Sequence, residues 1–599
     1  MPVQCISFER EEVPDSWKVE NGGKLSLSAK HTKHGEKSLK WKWEKDSILR
    51  AENPKNLKEA GESERGGIKG WVYNEKPIND KITFAFGSKE EIERNNPRYK
   101  FDFYLNYKGW RAFWINFEED AKNPNYDKKE DLSLEVMIIS TPAERKTGDL
   151  YFDVFEFVKS MNYGRSGDYQ TPFSRGKGKA HKTLHYSKKE PYYPLPEKIT
   201  AEEKKNFDII DERVRNWLLG EDLNVSNEIT DRAFNRLQEL IEIGQEEFEH
   251  LNLEVDDKGN IKGPGLFAHK TNREPTFGRY IFPKVLLPLT YDYKLNGNEE
   301  SKDKVLKIFD YIYDQGWAEG SANGTLFLTH NRAAGFYYSL YLMKDELEET
   351  GRLERVLNAA HWYLSFGKAF EKQGEDYFET NADEMRTRMV YCLLYLLTLE
   401  DTPRKVQYIK SWLDWFNSAL KIAHGYADTI KPDYVGFHHR GIISCAYAPD
   451  ALEMGAALAY FLHGTEFSAD VKVIDNLKNG LKTQFIMANK YDTPLATGAR
   501  FLRGAINNKI AAGYVYLARV LENMEPADKK AAEEMAGIFM KYWDPESEYF
   551  QDGLYPSLAN YVQFRCNPGR YQSMLKMAEK NYEPIDNPEG FWMKPYGAL

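Results

Sequence analysis

The segment that best shows how most of this chain folds reads Val406-Gln407-Tyr408-Ile409-Lys410-Ser411-Trp412-Leu413-Asp414-Trp415-Phe416-Asn417-Ser418-Ala419-Leu420. Its apolar residues Val406, Ile409, Leu413, Phe416 and Leu420 recur at steps of three and four, which places them on one face of a helix. Similar amphipathic stretches cover 228–250, 303–315, 333–347, 352–371, 385–400, 449–463, 470–487, 505–522, 526–541 and 557–578. About ten helices stacked in chain order predict an all-α region. Because no repeat of fixed length relates them, an incomplete (α/α) toroid is favoured over a regular solenoid.

The first 165 residues show a different period. Polar and apolar residues alternate in 24–28 and 38–43, and 71–73, 81–86 and 100–105 look similar. Clusters of Gly, Asn and Pro separate these segments, which predicts an all-β jelly-roll sandwich. Trp110 and Trp114 lie an even number of positions apart, so a strand would place both on one face. Burial in a core is the favoured interpretation, and stacking on a sugar is the alternative.

A basic segment rich in Gly and Pro separates the two regions. It begins near Arg175-Gly176-Lys177-Gly178-Lys179 and ends near Pro194-Leu195-Pro196. Gly and Pro oppose regular structure, and the lysines are expected to be solvated, so a flexible connector is favoured over a strip that guides a polyanion. The predicted organisation is a jelly-roll domain at 1–172, a linker at 173–200 and an α/α toroid at 201–599.

Composition excludes several classes of protein. The 599 residues carry 92 Asp and Glu against 82 Lys and Arg, a net charge of -10, which disfavours a globally basic nucleic-acid binder. The longest apolar run, 389–399, is far shorter than the roughly 20 residues of a membrane span, so we expect a soluble protein with no membrane partner. Aromatic residues make up 14% of the chain, which permits sugar stacking but is equally compatible with large cores.

The four cysteines lie far apart and show no CxxC spacing. They therefore predict neither a zinc site nor a dense disulfide framework, and buried free thiols are expected. No metal motif and no cofactor motif is present. A divalent cation such as Ca²⁺ remains an alternative, because oxygen ligands from loops leave little trace in a sequence.

One candidate site lies in Phe437-His438-His439-Arg440-Gly441, with Tyr447 just before a helix that opens at Pro449-Asp450. Flanking glycines indicate an irregular segment at the mouth of a helix. The simpler interpretation is that the two histidines are ordinary loop residues bonded to the backbone.

Three further segments are candidates. Arg500 and Arg503, next to Gly498 and Gly504, can present two guanidinium groups to an anion. His330 follows a Gly-rich segment, and Asn381 precedes Asp383-Glu384 at a helix start, where acidic residues usually act as caps.

Taken in order, these segments resemble polysaccharide lyase family eight, and within it the chondroitin sulfate ABC lyases. The resemblance covers nearly the whole chain and rests on the order and spacing of its motifs. They are Gly23-Lys24-Leu25-Ser26-Leu27-Ser28, His34-Gly35-Glu36-Lys37-Ser38-Leu39, Leu105-Asn106-Tyr107-Lys108-Gly109-Trp110-Arg111, Gly167-Asp168-Tyr169-Gln170-Thr171-Pro172, Gly320-Ser321-Ala322, the His-His-Arg-Gly segment with its tyrosine, and the Pro-Leu-Ala…Arg segment.

The resemblance implies a glycosaminoglycan lyase that cleaves chondroitin sulfate or dermatan sulfate, with hyaluronan as a further substrate, by β-elimination at a uronic acid. Tyr447 matches the catalytic tyrosine. A free tyrosine has a pKa of about 10, and a nearby arginine favours the tyrosinate, which gives Arg500 a catalytic role. His439 matches the histidine that faces the uronate. Its spacing to Tyr447 is one residue off the family pattern, so His438 is an alternative for that role.

The resemblance also implies substrate-binding roles for Arg503, His330 and Asn381 and a carbohydrate-binding-like function for the jelly roll. A secreted or periplasmic location is expected from the family alone. Members continue into carboxy-terminal β-sandwich regions, one of which supplies an active-site Glu. Here residues 587–592 resemble the entrance to that region, and the Glu has no counterpart, which puts full activity in doubt.

Two rival interpretations remain. An α/α-toroid glycoside hydrolase would use paired carboxylates, with Asp383 or Glu384 as candidates. A binding fragment of a lyase would hold glycosaminoglycan without cutting it.

Overall fold

The computed structural model describes residues 7–127, 133–162, 165, 167–171, 184–221, 228–257, 259–268, 275–323, 331–372, 380–424, 429–439, 441–488, 490–494, 497–498, 509–548, 550 and 565–588. Within them, strands dominate up to residue 158 and helices dominate from residue 201. The predicted order of an all-β region followed by an all-α region is confirmed.

Two five-stranded antiparallel sheets form the amino-terminal region, with strand orders β1-β4-β9-β6-β7 and β2-β3-β10-β5-β8. The strands are β1 Trp17–Glu20, β2 Lys24–Ser28, β3 Ser38–Glu44, β4 Ile48–Glu52, β5 Gly67–Asn74, β6 Lys81–Gly87, β7 Tyr99–Tyr104, β8 Gly109–Asn116, β9 Val136–Ser140 and β10 Thr147–Val158. Short helices at Leu57–Gly61, Lys89–Glu93 and Phe117–Asp120 lie between strands. The sheet that contains β3, β5 and β8 is called the second sheet below.

The alternation within the strands explains why the two sheets pack together. In β3, Leu39, Trp41 and Trp43 point into the sandwich and are buried, while the residues between them are lysines. On the opposite sheet, the rings of Phe84 and Phe101 stack at 4.6 Å within the same core. Burial of alternate apolar residues on both inner faces is what holds a β-sandwich together.

The carboxy-terminal region is built from helices joined by longer connections. They are α1 Ala201–Leu219, α2 Glu228–His250, a π-helix at Phe277–Leu286, α3 Leu287–Asn296, α4 Glu299–Asp314, α5 Ala334–Leu342, α6 Lys344–Glu349, α7 Leu353–Leu364, a 3₁₀ helix at Phe366–Phe370, α8 Ala382–Met385, α9 Arg388–Thr398, α10 Pro403–Ala419, α11 Ala448–Leu462, α12 Val471–Met487, α13 Ala511–Asn523, α14 Lys529–Tyr542 and α15 Pro568–Ala578. Short strands occur at β11 Glu254–Val255, β12 Ile261–Lys262, β13 Thr429–Ile430, β14 Gly436–His438 and β15 Gly441–Ile442.

The helices form an inner and an outer set. Helices α5, α9, α11 and α13 are buried along almost their whole length, whereas α4, α10, α12 and α14 bury one face. Helix α5 packs on α9, α11 on α13, and α13 on α15. Helix α15 also packs on α1 and α2, so the end of the helical circuit meets its beginning. This arrangement is that of an α/α toroid, as the sequence predicts.

The described part of the predicted linker, 184–200, does not behave as a loose connector. The Tyr193 hydroxyl donates to the Asp414 carboxylate at 2.9 Å, and the Gln407 amide donates to the Tyr193 carbonyl at 2.7 Å. Lys189 pairs with Glu371 at 3.1 Å. These bonds attach the segment to the helical region, so a flexible connector is the wrong description for residues 184–200. The Gly-Lys segment at 175–179 lies outside the described residues.

The second sheet packs its outer face against the helical region. Trp71, Tyr73 and Trp110 form a buried apolar cluster with Phe267, which belongs to the helical region. Trp110 is therefore buried as the sequence favours, although it packs in this cluster between the two regions rather than inside the sandwich. Trp114 is partly exposed, and the Lys69 ammonium lies 4.4 Å from the centre of its ring.

Hydrogen bonds from the β region hold the segment 314–322 that follows α4. The Tyr73 hydroxyl donates to Asp314 Oδ1 at 2.7 Å, Arg111 Nη2 to the Glu319 carbonyl at 2.9 Å, the Ala322 amide to Asp168 Oδ2 at 2.8 Å, and the Tyr169 amide to the Gly320 carbonyl at 2.9 Å. Each of these bonds joins one region to the other. The β region is therefore part of the support for the connection that leads towards α5.

Cys392, Cys445 and Cys566 are buried free thiols, as expected, and Cys5 lies outside the described residues. Among the described residues, no helix combines the length and apolar character that crossing a bilayer requires.

Three buried carboxyl groups lie at the contact between the two regions. Burial raises the pKa of Asp153 and of Asp314 to about 7, and that of Asp168 to about 6. An unfolded Asp has a pKa of about 4, so folding favours the protonated form of each group. Their contribution to stability is therefore complete below about pH 4 and is lost as the pH rises through these raised values.

We expect the free energy of unfolding to fall between about pH 4 and pH 7, where these groups are ionised in the unfolded chain but still protonated in the folded one. Asp314→Asn should reduce this slope by up to about 1.4 kcal/mol per pH unit, because the amide cannot ionise but its oxygen still accepts the bond from Tyr73. Urea denaturation at a series of pH values measures the slope. Identical slopes for the variant and the parent chain would contradict the assignment.

Candidate active site

The connections that precede α9, α11, α13 and α15 meet at one place. Arg386, before α9, donates to Asp450 at the start of α11 at 2.9 Å. Before α11, the Ser444 amide donates at 2.9 Å to the carbonyl of Thr497 in the connection before α13. Arg565, before α15, donates to Glu453 of α11 at 3.1 Å. The amino-terminal ends of these inner helices therefore lie together, and such ends carry partial positive charge that favours anions.

A small antiparallel hairpin presents the two histidines. In β14 and β15, Phe437 pairs with Ile442 and His438 with Gly441, so His439 lies in the turn, at φ 53°. Gly436 allows the hairpin to approach α11, because a Cβ there would lie 2.6 Å from that of Ala448. His438 is buried, with 4% of its surface exposed, whereas His439 is exposed. Of the two imidazoles, His439 is the one that solvent and ligands can reach.

Tyr447 lies in a strained turn directly before α11. Its φ of 55° and ψ of -72° are rare for a residue with a side chain, and the Ala448 amide donates to the Ala446 carbonyl across it at 2.7 Å. This is a three-residue γ-turn of the uncommon positive-φ type. Such strain costs about 1–3 kcal/mol and persists only where surrounding contacts enforce it. The turn therefore fixes the direction in which the Tyr447 side chain extends from the start of α11.

The three rings form one cluster. The centre of the Tyr447 ring lies 4.4 Å from that of His438 and 5.3 Å from that of His439, and the two imidazoles lie 4.0 Å apart. The structure thus brings together the phenol and both imidazoles that the sequence singles out. They lie on a small antiparallel hairpin and at a helix start. The helix start is as predicted, but an irregular segment is the wrong description for His438, which lies in strand β14 and is paired with Gly441.

Arg386 is the residue of this site that the sequence interpretation missed. Its guanidinium carbon lies 4.4 Å from the centre of the Tyr447 ring, a cation–π contact. Its Nε and Nη2 donate to Asp383 Oδ1 at 2.8 and 2.6 Å, and its Nη1 donates to Asp450 Oδ2. Asp383 Oδ2 lies 3.8 Å from His438 Nε2. Arg386 therefore contacts the Tyr447 ring directly and is joined to His438 through Asp383.

Behind Arg386, buried charges continue as a network. Arg565 pairs with Asp450 and with Glu453, and Arg570 pairs with Glu453 at 2.9 Å. With Asp383, the network contains three carboxylates and three guanidinium groups, so its formal charges balance. Burial by itself raises the pKa of Asp450, but Arg565 and Arg386 outweigh burial and lower it. Burial opposes the charged form of Arg386 too, yet Asp450 and Asp383 raise its pKa.

Asn381 occupies the capping position of α8. Its side-chain oxygen accepts from the Glu384 amide at 3.0 Å, and the Glu384 carboxylate accepts from the Asn381 amide in return. Lys368 Nζ donates to the two oxygens of Glu384 at 3.0 and 2.9 Å, and Arg388 also pairs with this carboxylate. The segment around Asn381 and Glu384 thus holds α8 in place beside Arg386.

The remaining predicted residues, His330, Arg500 and Arg503, lie outside the described residues. The nearest described positions before Arg500 are Thr497 and Gly498. Thr497 accepts from the Ser444 amide, and the Gly498 carbonyl accepts from Cys445 Sγ at 3.7 Å. The chain two residues before Arg500 therefore contacts the connection that carries Tyr447.

Metal binding gains no support from the described residues, in which no group of three His, Cys, Asp or Glu side chains is arranged to hold an ion. A divalent cation stays a prediction of the sequence.

Comparison with known proteins identifies the class to which this fold and site belong. The family model described as "Lyase, N terminal" matches residues 3–173, and the model described as "Lyase, catalytic" matches residues 193–548. Because the second model alone covers more than half of the chain, the chain belongs to this lyase family.

Individual relatives are more distant. Chondroitin sulfate ABC exolyase of Bacteroides thetaiotaomicron is 23% identical over 625 positions, covering 100% of this chain and 58% of the relative. Chondroitin sulfate ABC endolyase of Proteus vulgaris is 24% identical, covering 91% of this chain and 56% of the relative. A solved structure of a Paenibacillus xanthan lyase has a TM-score of 0.46 at 12% identity, covering 64% of this chain and 34% of that one. The chain spans a little over half the length of these two curated relatives.

Arg386→Ala should lower the free energy of unfolding by about 3–5 kcal/mol, because it removes the guanidinium group that pairs with Asp383 and one of the two that pair with buried Asp450. Lys541→Gln is the matched control. It removes a cation whose partner, Asp586, is 91% exposed, so the variant should unfold at nearly the same denaturant concentration as the parent chain. Guanidinium denaturation followed by tryptophan fluorescence measures both. Equal losses in the two variants would show that the buried network is not a major source of stability.

Proposed function

We propose that this chain is a glycosaminoglycan lyase. Its proposed substrates are chondroitin sulfate and dermatan sulfate, with hyaluronan as a further substrate, and its reaction is β-elimination at a uronic acid. The observation that carries the proposal is the cluster of Tyr447 with His438 and His439 at the amino-terminal ends of the inner helices. Membership of the lyase family supports the reaction type, and the names of the chondroitin sulfate ABC relatives support the substrate class.

The chemistry explains why such groups are needed. A base removes the proton from C5 of the uronate, the C5–H electron pair forms the C4–C5 double bond, and the bond from C4 to the bridging oxygen breaks. That oxygen leaves with a proton supplied by an acid. Removing the C5 proton builds negative charge beside a carboxylate, so cationic or hydrogen-bonding groups must stabilise the intermediate.

In the proposed assignment, Tyr447 protonates the leaving oxygen and, for glucuronate, also takes the C5 proton. His439 is the base when iduronate presents its proton from the opposite side. Its exposure supports this choice over His438, which is buried against Asp383. Arg500, with Arg503 beside it, is proposed to meet the uronate carboxylate or a sulfate. Arg386 is not proposed to contact the sugar, because two carboxylates already occupy its donors.

The remaining proposals concern the setting of the reaction. No cofactor is proposed, with a divalent cation such as Ca²⁺ as an alternative, and neither nucleic acid nor a membrane is a proposed partner. A secreted or periplasmic location is proposed, because polymeric glycosaminoglycan substrates lie outside the cell. Activity is expected of a whole protein that includes this chain, and the isolated chain has to be assayed directly.

The rival hydrolase finds less support. A glycoside hydrolase needs one carboxyl group that donates a proton and a second that acts as base or nucleophile. Asp383 accepts two bonds from Arg386, and Glu384 is held by Lys368 and Arg388. Both carboxylates are therefore bound by cations of the protein and are not shown to be available for a glycosidic bond.

Tyr447→Phe should reduce formation of the unsaturated uronide by about a hundredfold or more, because it removes the proposed acid while keeping the ring. Absorbance of the new double bond in the ultraviolet measures the product. Tyr408→Phe is the matched control, since its phenol lies on the outer helix α10, and it should keep the parent rate. Reducing ends that form without the chromophore would rule out elimination.

Asp383→Asn separates the lyase from the hydrolase. If Asp383 only supports Arg386, the amide still accepts a hydrogen bond and chromophore formation should continue at a reduced rate. Complete loss of cleavage in this variant, together with full cleavage by Tyr447→Phe, would favour the hydrolase.

Substrate scope is tested by separate incubation with chondroitin 4-sulfate, dermatan sulfate and hyaluronan. Cleavage of the first two is expected, and loss of dermatan sulfate cleavage alone in His439→Ala would support its assignment to iduronate. Salt-sensitive binding without product from any polymer would favour a binding fragment.

A further inference from the structure

A cavity of about 560 Å³ lies at the carboxy-terminal end of α11, far from the candidate active site. Its wall includes Tyr460 and His463 at the end of that helix, Arg519 of α13 and Lys580 just beyond α15. Tyr447 precedes α11, and Tyr460 lies 13 positions further along the chain, which at 1.5 Å per residue separates the two by about 20 Å. The cavity therefore opens at the other end of the inner helices.

Cations exceed carboxylates around this cavity. Arg213, Arg519, Lys576 and Lys580 line it, whereas Glu522 is the carboxylate among the described lining residues. Glu522 is matched by Lys580 at 3.3 Å, and Lys576 is matched by Glu221, which lies outside the lining. Two guanidinium groups remain, and neither is within ion-pair distance of a carboxylate in the described part of the chain.

Arg213 has a structural task that accounts for part of its charge. Its Nη1 donates to the carbonyls of Tyr460, Phe461 and His463, where α11 ends. Cations commonly stabilise the carboxy-terminal ends of helices in this way. Burial lowers the pKa of His463, a hydrogen bond with the Asn523 backbone opposes that effect, and the nearby charge of Arg213 adds a smaller lowering.

Among the described residues, the Arg519 side chain is not seen to bind the carbonyl groups at a helix end, as that of Arg213 does. Arg519 Nη1 donates to the Tyr460 hydroxyl at 3.3 Å, and its guanidinium carbon lies 5.5 Å from the centre of that ring. The Arg519 carbonyl already accepts from the Asn523 amide at 2.7 Å, so α13 is capped without the arginine side chain. Arg519 thus presents the rest of its fork to the cavity beside an aromatic ring, the arrangement that suits a sulfate or carboxylate on a sugar.

We propose that this cavity is a second binding site, in which Arg519 and Arg213 hold a sulfate or carboxylate group of an anionic oligosaccharide beside Tyr460. The choice of an oligosaccharide rests on the proposed function, because a long polymer bound at the candidate active site can reach this cavity with a distant unit, and a second polymer chain can bind there too. The site anchors polymer and takes no part in cleavage. Its loss weakens the binding of long chains and leaves the turnover of short ones unchanged.

Calorimetry with a chondroitin 4-sulfate tetrasaccharide tests the site directly. In the Tyr447→Phe background, we expect two binding events per chain, and Arg519→Gln should weaken one of them on the order of tenfold or more. Lys541→Gln, which removes a surface cation elsewhere, is the matched control and should keep both events. One binding event that Arg519→Gln leaves unchanged would overturn the proposal.

Competition experiments identify the ligand, and a conservative variant shows whether a loss of binding is caused by misfolding. Inorganic sulfate should compete only at concentrations far above those of the tetrasaccharide, and single-stranded DNA of equal charge that binds as tightly would overturn the assignment to a glycan. Arg519→Lys keeps the charge and should restore part of the affinity, which a merely misfolded Arg519→Gln would not allow. Thermal unfolding of both variants is measured alongside.

Activity assays keep this proposal separate from the proposed function. With Tyr447 intact, Arg519→Gln should raise the KM for polymeric chondroitin sulfate and leave kcat, and all kinetics on a tetrasaccharide, unchanged. If the parent chain forms no unsaturated product, the lyase assignment fails while calorimetry still decides the second site. An equal fall in kcat on polymer and tetrasaccharide would overturn the proposal.

Discussion

The buried ion network that begins at Arg386 is the constraint on which the candidate site depends. It joins the connection before α9 to the first turns of α11 and, through Arg565, to the connection before α15. Buried ion pairs gain little net stability over apolar packing, but they are costly to break and they demand a defined geometry. The strained turn at Tyr447 needs such enforcement, since about 1–3 kcal/mol of backbone strain must be offset by its surroundings. The cation–π contact with Arg386 restricts the position of the Tyr447 ring itself.

The two ends of the inner helices have different tasks. At their amino-terminal ends, long connections carry the imidazoles, the phenol and the ion network, and the β region supports one of these connections through bonds to residues 314–322. At the opposite end, the helices finish in a basic cavity. A single rigid helix, α11, links Tyr447 to Tyr460, so the proposed chemistry and the proposed anchoring of polymer occur at a fixed separation. The docked sheet explains why Trp110 is buried although it lies on the outer face of the sandwich.

Sequence patterns predicted the elements whose formation depends on local periodicity. The helices predicted at 406–420 and 449–463 agree with α10 and α11 to within one residue at most of their ends. They could be predicted because the apolar residues of such a helix recur every three or four positions. The π-helix at Phe277–Leu286 was missed because apolar residues occupy most of its sides and Pro283 interrupts the pattern. At the site, His438 and His439 were found because histidine is rare in this chain and glycines flank the pair, whereas Tyr447 was assigned through the resemblance to the lyase family. Arg386 was missed because two of its partners, Asp450 and Tyr447, are distant in sequence. Its third partner, Asp383, lies three residues away, and that spacing was the available signal. The cavity at the carboxy-terminal end of α11 has no local sequence signal, because residues of the separate helices α1, α11, α13 and α15 line it.

The most direct measurement of the central claim is a crystal structure of the Tyr447→Phe chain with a chondroitin sulfate tetrasaccharide bound. We predict a uronate whose C5 and O4 face the ring of residue 447, with O4 within about 3 Å of the position that the missing phenol oxygen would take. We also predict that the His439 ring borders the same sugar and that Arg386 keeps its bonds to Asp383 and Asp450. A uronate bound with C5 and O4 turned away from both residues, or bound at another face of the helical region, would contradict the central claim.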